Sequence, residues 1–292
     1  MSFYLVTDTS ANLTPELAER AGAAVLPFQF HTLGSDRACE DLSAFDAAAF
    51  YGAMRRGTEV RTSLIPPARY AACFREALER GEDVLYVGMS SGISGSCQGA
   101  HMAAEELREA YPERRVWVVD TLGASLGEGL LVLEAARYRA NGLDAAAAAR
   151  HLLGLRQRMA QVFTVEDLKY LKQGGRLSGM AAAVGTVLNI KPILKGDEAG
   201  KIVSCGKARG RKRSIEALAE RYEALAEQPE RQSVGIAHAD CPEDAALLEE
   251  LLRRNRPPRE ILTVPYEPVT GSHVGPGALA LFFLGGRDVR KR

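Results

Sequence analysis

Short runs of consecutive apolar residues alternate along this chain with Ala-, Glu- and Arg-rich stretches of helical character. Strands are read at residues 3–7, 83–88, 115–120, 234–238 and 261–266. Their apolar residues are adjacent rather than alternating, the pattern of strands covered on both faces. Helices are read at residues 14–22, 44–56, 67–80, 97–111, 128–141, 143–158, 214–227 and 242–254. Strand and helix in alternation define an α/β fold with largely parallel sheets. Asn141 and Gly142 supply a helix stop, and Asp144 a cap for the helix that follows. A chain of 292 residues has room for two domains. We place them at residues 1–156, where the alternation is cleaner, and 157–292.

Composition narrows the function. Hydrophobic residues make up 46% and charged residues 25%, enough apolar surface to offset chain entropy, so the chain is a globular protein and not a disordered one. Lys plus Arg is 37 and Asp plus Glu is 37, and this zero net charge argues against a nucleic-acid partner. Cys39, Cys73, Cys97, Cys205 and Cys241 are scattered without a Cys-x-x-Cys pair, as expected of thiols in a reducing compartment. Neither a signal peptide nor a bilayer-length apolar run is read, so the protein is expected to be cytoplasmic and not integral to a membrane. Walker A, His-Glu-x-x-His and EF-hand patterns are not found, and no metal or cofactor is expected.

The strand at 83–88 runs into Met89–Ser96, a stretch dense in Ser and Gly, and then into a helix. Hydroxyls, free amides and a helix N-terminus together hold an anion, and one cap would need fewer of them. Gly88–Gly92 also matches Gly-x-Ser-x-Gly, the nucleophile elbow of α/β-hydrolases, with Ser90 as nucleophile and Asp240 and His273 in the expected chain order. The preceding sequence lacks an oxyanion segment, and the polar loop extends past the elbow to Ser94 and Ser96. His273 stands among Gly271, Gly275, Pro276 and Gly277, and is read as lying on an irregular loop whose backbone comes close to a ligand. His238 is the second candidate histidine. Thr62 and Ser63 precede a helix, and Asp8, Thr9, Ser10 and Asn12 follow the first strand, where α/β proteins bind their ligands. Gly174 and Gly175 let Arg176 stand clear of a helix end as a contact for phosphate or an acidic partner. Lys207–Arg213 holds five basic residues in seven and reads as a solvated loop or a docking patch.

Taken in order, these segments resemble the DegV family of bacterial fatty-acid-binding proteins, from about residue 3 to 284. The motifs that carry the resemblance include Val6–Ser10, Arg61–Ser63, Ser90–Ser96, Val119–Gly127, Asp167–Ser178, Asn189–Leu194 and His273–Gly277. The resemblance implies two α/β domains with a ligand tunnel at and beside the domain interface, holding a long-chain fatty acid such as palmitate, stearate or oleate. It implies that Thr62, Ser94 and His273 bind the carboxylate, supported by Ser63, Gly95, Ser96 and Gly275, and that Arg176 meets a partner. No catalytic residue is implied: the protein would be an acyl carrier presenting its ligand to a separate fatty acid kinase. An esterase using Ser90, or a lipid-storage or sensing protein without a kinase, are the alternatives. Two departures from the family pattern bear on acyl preference. Thr-Ser-Gln-Pro-Ser is here Thr62–Pro66 with Leu64 and Ile65, and Ser-Gly-Thr-Tyr is here Ser94–Cys97.

Overall fold

The computed structural model describes residues 2–32, 35–38, 45–177 and 189–291. In chain order the elements are β1 (Phe3–Asp8), α1 (Pro15–Ala21), β2 (Ala23–Leu26), β3 (Gln29–Thr32), β4 (Ser35–Ala38), α2 (Ala47–Arg55), β5 (Val60–Ser63), α3 (Pro67–Glu79), β6 (Asp83–Gly88), α4 (Ser96–Ala110), β7 (Val116–Asp120), α5 (Leu126–Ala140) and α6 (Ala145–Leu155). There follow β8 (Met159–Thr164), α7 (Lys169–Gln173), β9 (Ile190–Gly196), β10 (Ile202–Arg209), α8 (Arg211–Leu225), β11 (Ser233–His238), α9 (Pro242–Asn255), β12 (Glu260–Pro265), α10 (Pro268–Val274) and β13 (Leu279–Leu284). The chain folds into two compact units, residues 1–45 with 61–156, and residues 46–60 with 157–292.

The first unit is built on a parallel sheet in the order β2-β1-β6-β7. Its two central strands, β1 and β6, are the ones with consecutive buried residues. Consecutive apolar side chains demand cover on both faces, which packed helices supply. Helix α3 packs with α4, and α5 with α6. Asp144 caps α6 by accepting from Ala147 N at 2.7 Å, and Gly142 leaves α5 at φ +82°. A small sheet, β4-β3-β5, completes the unit.

The second unit carries a six-stranded sheet, β10-β9-β8-β13-β11-β12. Only β11 and β12 pair in parallel; β13 runs antiparallel to both β8 and β11, and β9 antiparallel to β8 and β10. The parallel pairing expected of alternating elements therefore describes the first sheet and one pair of the second. Short connections explain the change: β9 returns into β10 through the turn after Asp197, a hairpin that needs no crossover helix. Strand β12 lies at the sheet edge and is only partly buried, unlike the doubly covered strand read from its apolar run. Helices α8 and α9 pack on the core of Val162, Leu218, Tyr222, Ile236, Leu248 and Phe283.

Helix α2 falls within the second unit, although the sequence reading placed residues 46–60 in the first. The buried Tyr51 donates to the Tyr266 carbonyl at 2.8 Å, and Arg55 donates to both the Asp240 carboxylate and the Asp240 carbonyl. Those partners lie some two hundred residues downstream, beyond the reach of any local signal. The basic run from Lys207 is not a loop either: it spans the end of β10 and the start of α8, broken only at Gly210 with φ +88°. Cys73, Cys97, Cys205 and Cys241 are free thiols, and Cys39 lies outside the described residues. No helix among the described residues is long and apolar enough to cross a membrane.

Candidate functional site

In the first unit the loops after β1, β6 and β7 emerge from the carboxyl ends of adjacent parallel strands, where an α/β sheet gathers its ligand loops. They are tied to one another by hydrogen bonds. Ser90 N–H donates to Gly123 O and Ser125 N–H to Ser10 O, both at 2.7 Å, and Thr121 Oγ1 donates to Gly88 O at 2.8 Å. Leu122 and Ser125 are held at φ +55° and +54°, a backbone conformation that non-glycine residues adopt only under constraint.

The hydroxyls of the Ser-Gly loop are not equivalent. Ser90 is fully buried and its Oγ accepts from Gly92 N–H at 3.0 Å. Ser91 donates to Asp120 Oδ2 at 2.6 Å. Ser94, half-buried, accepts from Ser96 N–H at 3.2 Å, and its own O–H finds no acceptor among the described residues. Helix α4 then starts at Ser96 with Gly95 as its N-cap, which offers no side chain of its own. The buried Ser96 Oγ meets no partner at hydrogen-bonding geometry among the described residues, although it lies close enough to the Tyr70 hydroxyl to influence its ionisation.

Thr62 and Ser63 stand at the end of β5, both half-buried. Ser63 Oγ hydrogen-bonds His31 Nε2 at 2.9 Å. The segment after them runs against the start of α4: a Cβ on Gly95 would lie 3.2 Å from Leu64 Cδ1, and one on Gly99 would lie 3.5 Å from the Ile65 carbonyl. Thus the structure brings Leu64 and Ile65, the residues that follow Thr62 and Ser63, against Gly95 and Gly99 at the start of α4 within this unit. Leu64, one of the departures from the family pattern, forms the contact and is 48% exposed.

In the second unit, Glu267 caps α10 by accepting from Val269 N–H at 2.6 Å and from Thr270 N–H. Proline at the first helical position completes the start signal. His273 therefore lies in the last turn of a short helix and not on an irregular loop; the backbone leaves the helix only at Gly275, φ +80°. Gly275 is crossed by the Tyr170 ring, 2.1 Å from where a Cβ would stand, so only glycine fits. Gly174 lies against the His273 ring. Arg176 does not stand clear of its helix: its guanidinium folds back onto the Gly174 carbonyl. Burial, reinforced by Arg176, pushes His273 down to about 4, so its imidazole is neutral at pH 7 and offers one N–H. Lys191, almost buried on β9, pairs with Glu166, whose side chain in turn packs against Gly277.

Of the residues read as a serine-hydrolase triad, Ser90 Oγ accepts from Gly92 N–H and Asp240 pairs with Arg55. His238, the second candidate histidine, accepts weakly at Nδ1 from Cys241 N–H at 3.4 Å, and burial lowers its pKa. Two surface grooves, of about 340 Å³ beside Leu107, Arg108 and Trp117 and about 570 Å³ beside Ile193, Arg209 and Arg221, are lined by none of Thr62, Ser94 or His273.

Sequence reasoning noted Asp8 and Ser10 but missed Glu128, Tyr86 and Tyr70. All five are fully buried and linked. The available signal for Glu128 was a carboxylate set in the apolar run Leu126–Leu131 at the start of a helix.

The chain thus combines an α/β unit that carries hydroxyl-rich loops at its strand ends with a second unit that carries a glycine-packed histidine. A family model described as "Uncharacterised protein, DegV family" matches residues 2–285, and the chain belongs to that family. A DegV domain-containing protein of Clostridium perfringens is 36% identical over 283 residues, spanning 97% of each chain. One of Deinococcus radiodurans is 31% identical, spanning 96% of this chain and 98% of the relative. Among solved structures, a fatty-acid-binding DegV protein from Thermus thermophilus matches with a TM-score of 0.88 and 32% identity, over 98% of this chain and 100% of its own. DegV from Bacillus subtilis, described as a fatty acid binding protein, matches with a TM-score of 0.84 and 28% identity, over the same shares.

Proposed function

We propose that this protein binds one long-chain fatty acid, of the palmitate, stearate or oleate type, and holds its carboxylate with Thr62, Ser94 and His273. The observation that supports this most is at the start of α4. Ser94 has a hydroxyl proton without an acceptor among the described residues, beside a helix N-terminus whose N-cap, Gly95, offers no side chain. That is the arrangement an anion completes. Fatty acid binding in the Thermus thermophilus and Bacillus subtilis relatives supplies the ligand class.

The energetics agree with such a ligand. Some 14 methylenes at about 0.8 kcal/mol each give about 11 kcal/mol gross for a 16-carbon tail in an apolar tunnel. Association and ordering offset much of that. A carboxylate taken out of water costs several kcal/mol unless hydrogen-bonded. Hydroxyl donors from Thr62 and Ser94, amides of α4 and the N–H of a neutral His273 offset it, since hydrogen bonds to a charged group are the strong ones. In this reading no residue of the chain does chemistry. The protein is a cytoplasmic carrier that presents the carboxylate to a separate kinase for acyl-phosphate formation, with Arg176 at the contact.

Denaturing mass spectrometry of freshly purified protein tests the reading: a co-purified fatty acid is expected. Apo protein that also refuses added palmitate and oleate would overturn it. A pull-down that recovers a kinase distinguishes the carrier from a storage or sensing protein.

A further inference from the structure

The six-stranded sheet of the second unit ends on β10, which pairs with β9 on one side and with no strand among the described residues on the other. The register with β9 shows which backbone groups this leaves over. Lys207 lies opposite Pro192, and proline has no N–H, so these two cannot exchange a pair of hydrogen bonds. Antiparallel pairs alternate, which makes Gly206 and Ala208 the residues bonded to β9 and turns the N–H and C=O of Lys207 and Arg209 to the open edge. The next bond, from Gly210 N–H to Asn189 O at 2.9 Å, has the same parity. The bulge between Ser204 and Gly206 ends this stretch, and there the Cys205 carbonyl accepts from the Arg221 guanidinium at 2.7 Å.

The groove of about 570 Å³ runs along this same edge, between β10 and α8. Every residue from Cys205 to Arg209 lines it. Neighbours in a strand point to opposite faces, so a groove lined by all five follows the backbone edge and not one face. Ile193, Ala217 and Leu225 supply apolar walls. Lys207 and Arg209 are exposed and have no carboxylate partner among the described residues, whereas Arg213, also in the groove, is held by Glu216 and Glu220.

We propose that the open edge of β10 is a docking site for an extended acidic segment of another protein, which adds to the six-stranded sheet as a further strand. Its backbone pairs with Lys207 and Arg209, and acidic side chains at every second position meet theirs across the strands. Charge excludes a second copy of this chain, since two such edges would set Lys207 and Arg209 against their own kind. Basic residues on an edge strand can serve merely to keep edges apart, but that protection needs no groove with apolar walls; an incoming strand does.

The site does not depend on the fatty-acid reading. A labelled eight-residue peptide alternating Glu and Val is the probe, with one alternating Lys and Val as control, each titrated into the full chain by fluorescence anisotropy. The Glu-Val peptide should bind saturably and weaken as salt is raised to about 0.5 M, and the Lys-Val peptide should not bind. Amide hydrogen exchange by NMR should show the peptide protecting the Lys207 and Arg209 N–H groups and leaving that of Ala208 unchanged. Methylating alternate amides of the Glu-Val peptide, which removes donors and keeps the charge, should weaken it at least tenfold. The double variant Lys207→Glu with Arg209→Glu, exposed positions at which the fold is retained, should lose the Glu-Val peptide by at least tenfold and gain the Lys-Val one. Failure of the Glu-Val peptide to bind at millimolar concentration overturns the proposal. So does equal binding of both peptides, or binding that leaves Lys207 and Arg209 unprotected and is indifferent to methylation, which would be attraction by charge alone. Protection of the same two amides by raising the protein concentration without peptide would assign the edge to a second copy and overturn it as well.

Discussion

Gly174 and His273 are in direct contact: a Cβ on Gly174 would stand 2.2 Å from His273 Nδ1 and 3.0 Å from Cε1. The missing side chain is what lets the imidazole lie there. At φ −72° Gly174 has an ordinary backbone, so its identity is dictated by the ring and not by conformation. Gly175, next along, is the reverse case: φ +70° and open space around its Cβ position.

These neighbours therefore predict different outcomes on substitution by alanine. Gly174→Ala should displace the imidazole and destabilise the second unit by about 1–3 kcal/mol, the usual range for overpacking. Gly175→Ala should lose about 1 kcal/mol to backbone strain and leave the ring in place. NMR of the His273 imidazole distinguishes them. Unchanged imidazole signals in Gly174→Ala would rule out the contact.

Ser94→Ala removes one hydroxyl donor and the acceptor of the Ser96 amide. If Ser94 holds a carboxylate, the loss is that of a hydrogen bond to a charged group, about 1.5–3 kcal/mol. Palmitate affinity measured by calorimetry should fall on the order of tenfold to a hundredfold, with the melting temperature little changed. Equal affinity in wild type and variant would remove Ser94 from the site.

His273 has a pH signature. Its folded value of about 4 lies below the ordinary histidine value, through burial first and Arg176 second. Between about pH 6.5 and pH 4 the unfolded chain takes up a proton that the folded chain refuses. Stability is therefore complete above pH 6.5 and is lost as pH falls toward 4. Urea unfolding of the wild type at pH 7 and pH 4.5 should show roughly 2–3 kcal/mol more loss than His273→Gln over the same interval. Parallel losses would mean that the imidazole is not buried as described.

Much of this was legible in the sequence. The apolar run at 83–88 coincides with β6, and the Asp144 cap and Asn141–Gly142 stop lie where their chemistry predicts. The Ser-Gly loop is found at a strand end, ahead of α4. Short elements escaped: β2, β3 and β5 are four residues each, too brief to show a period. Helix α10 also escaped, because glycines at 271 and 275 read as loop; its Glu267–Pro268 start was the overlooked signal.

The residues by themselves determined which segments are strands or helices, where ligand loops emerge, and which hydroxyls and histidine could serve an anion, since these depend on neighbours a few positions away. Only the tertiary structure decided that Glu128 meets Ser10, that Gly174 faces His273, that α2 packs with the second unit and that most of the second sheet is antiparallel. Each of those joins segments tens to hundreds of residues apart. Local propensity carries no information about which distant partner arrives; packing, hydrogen-bond satisfaction and the burial of charge select it.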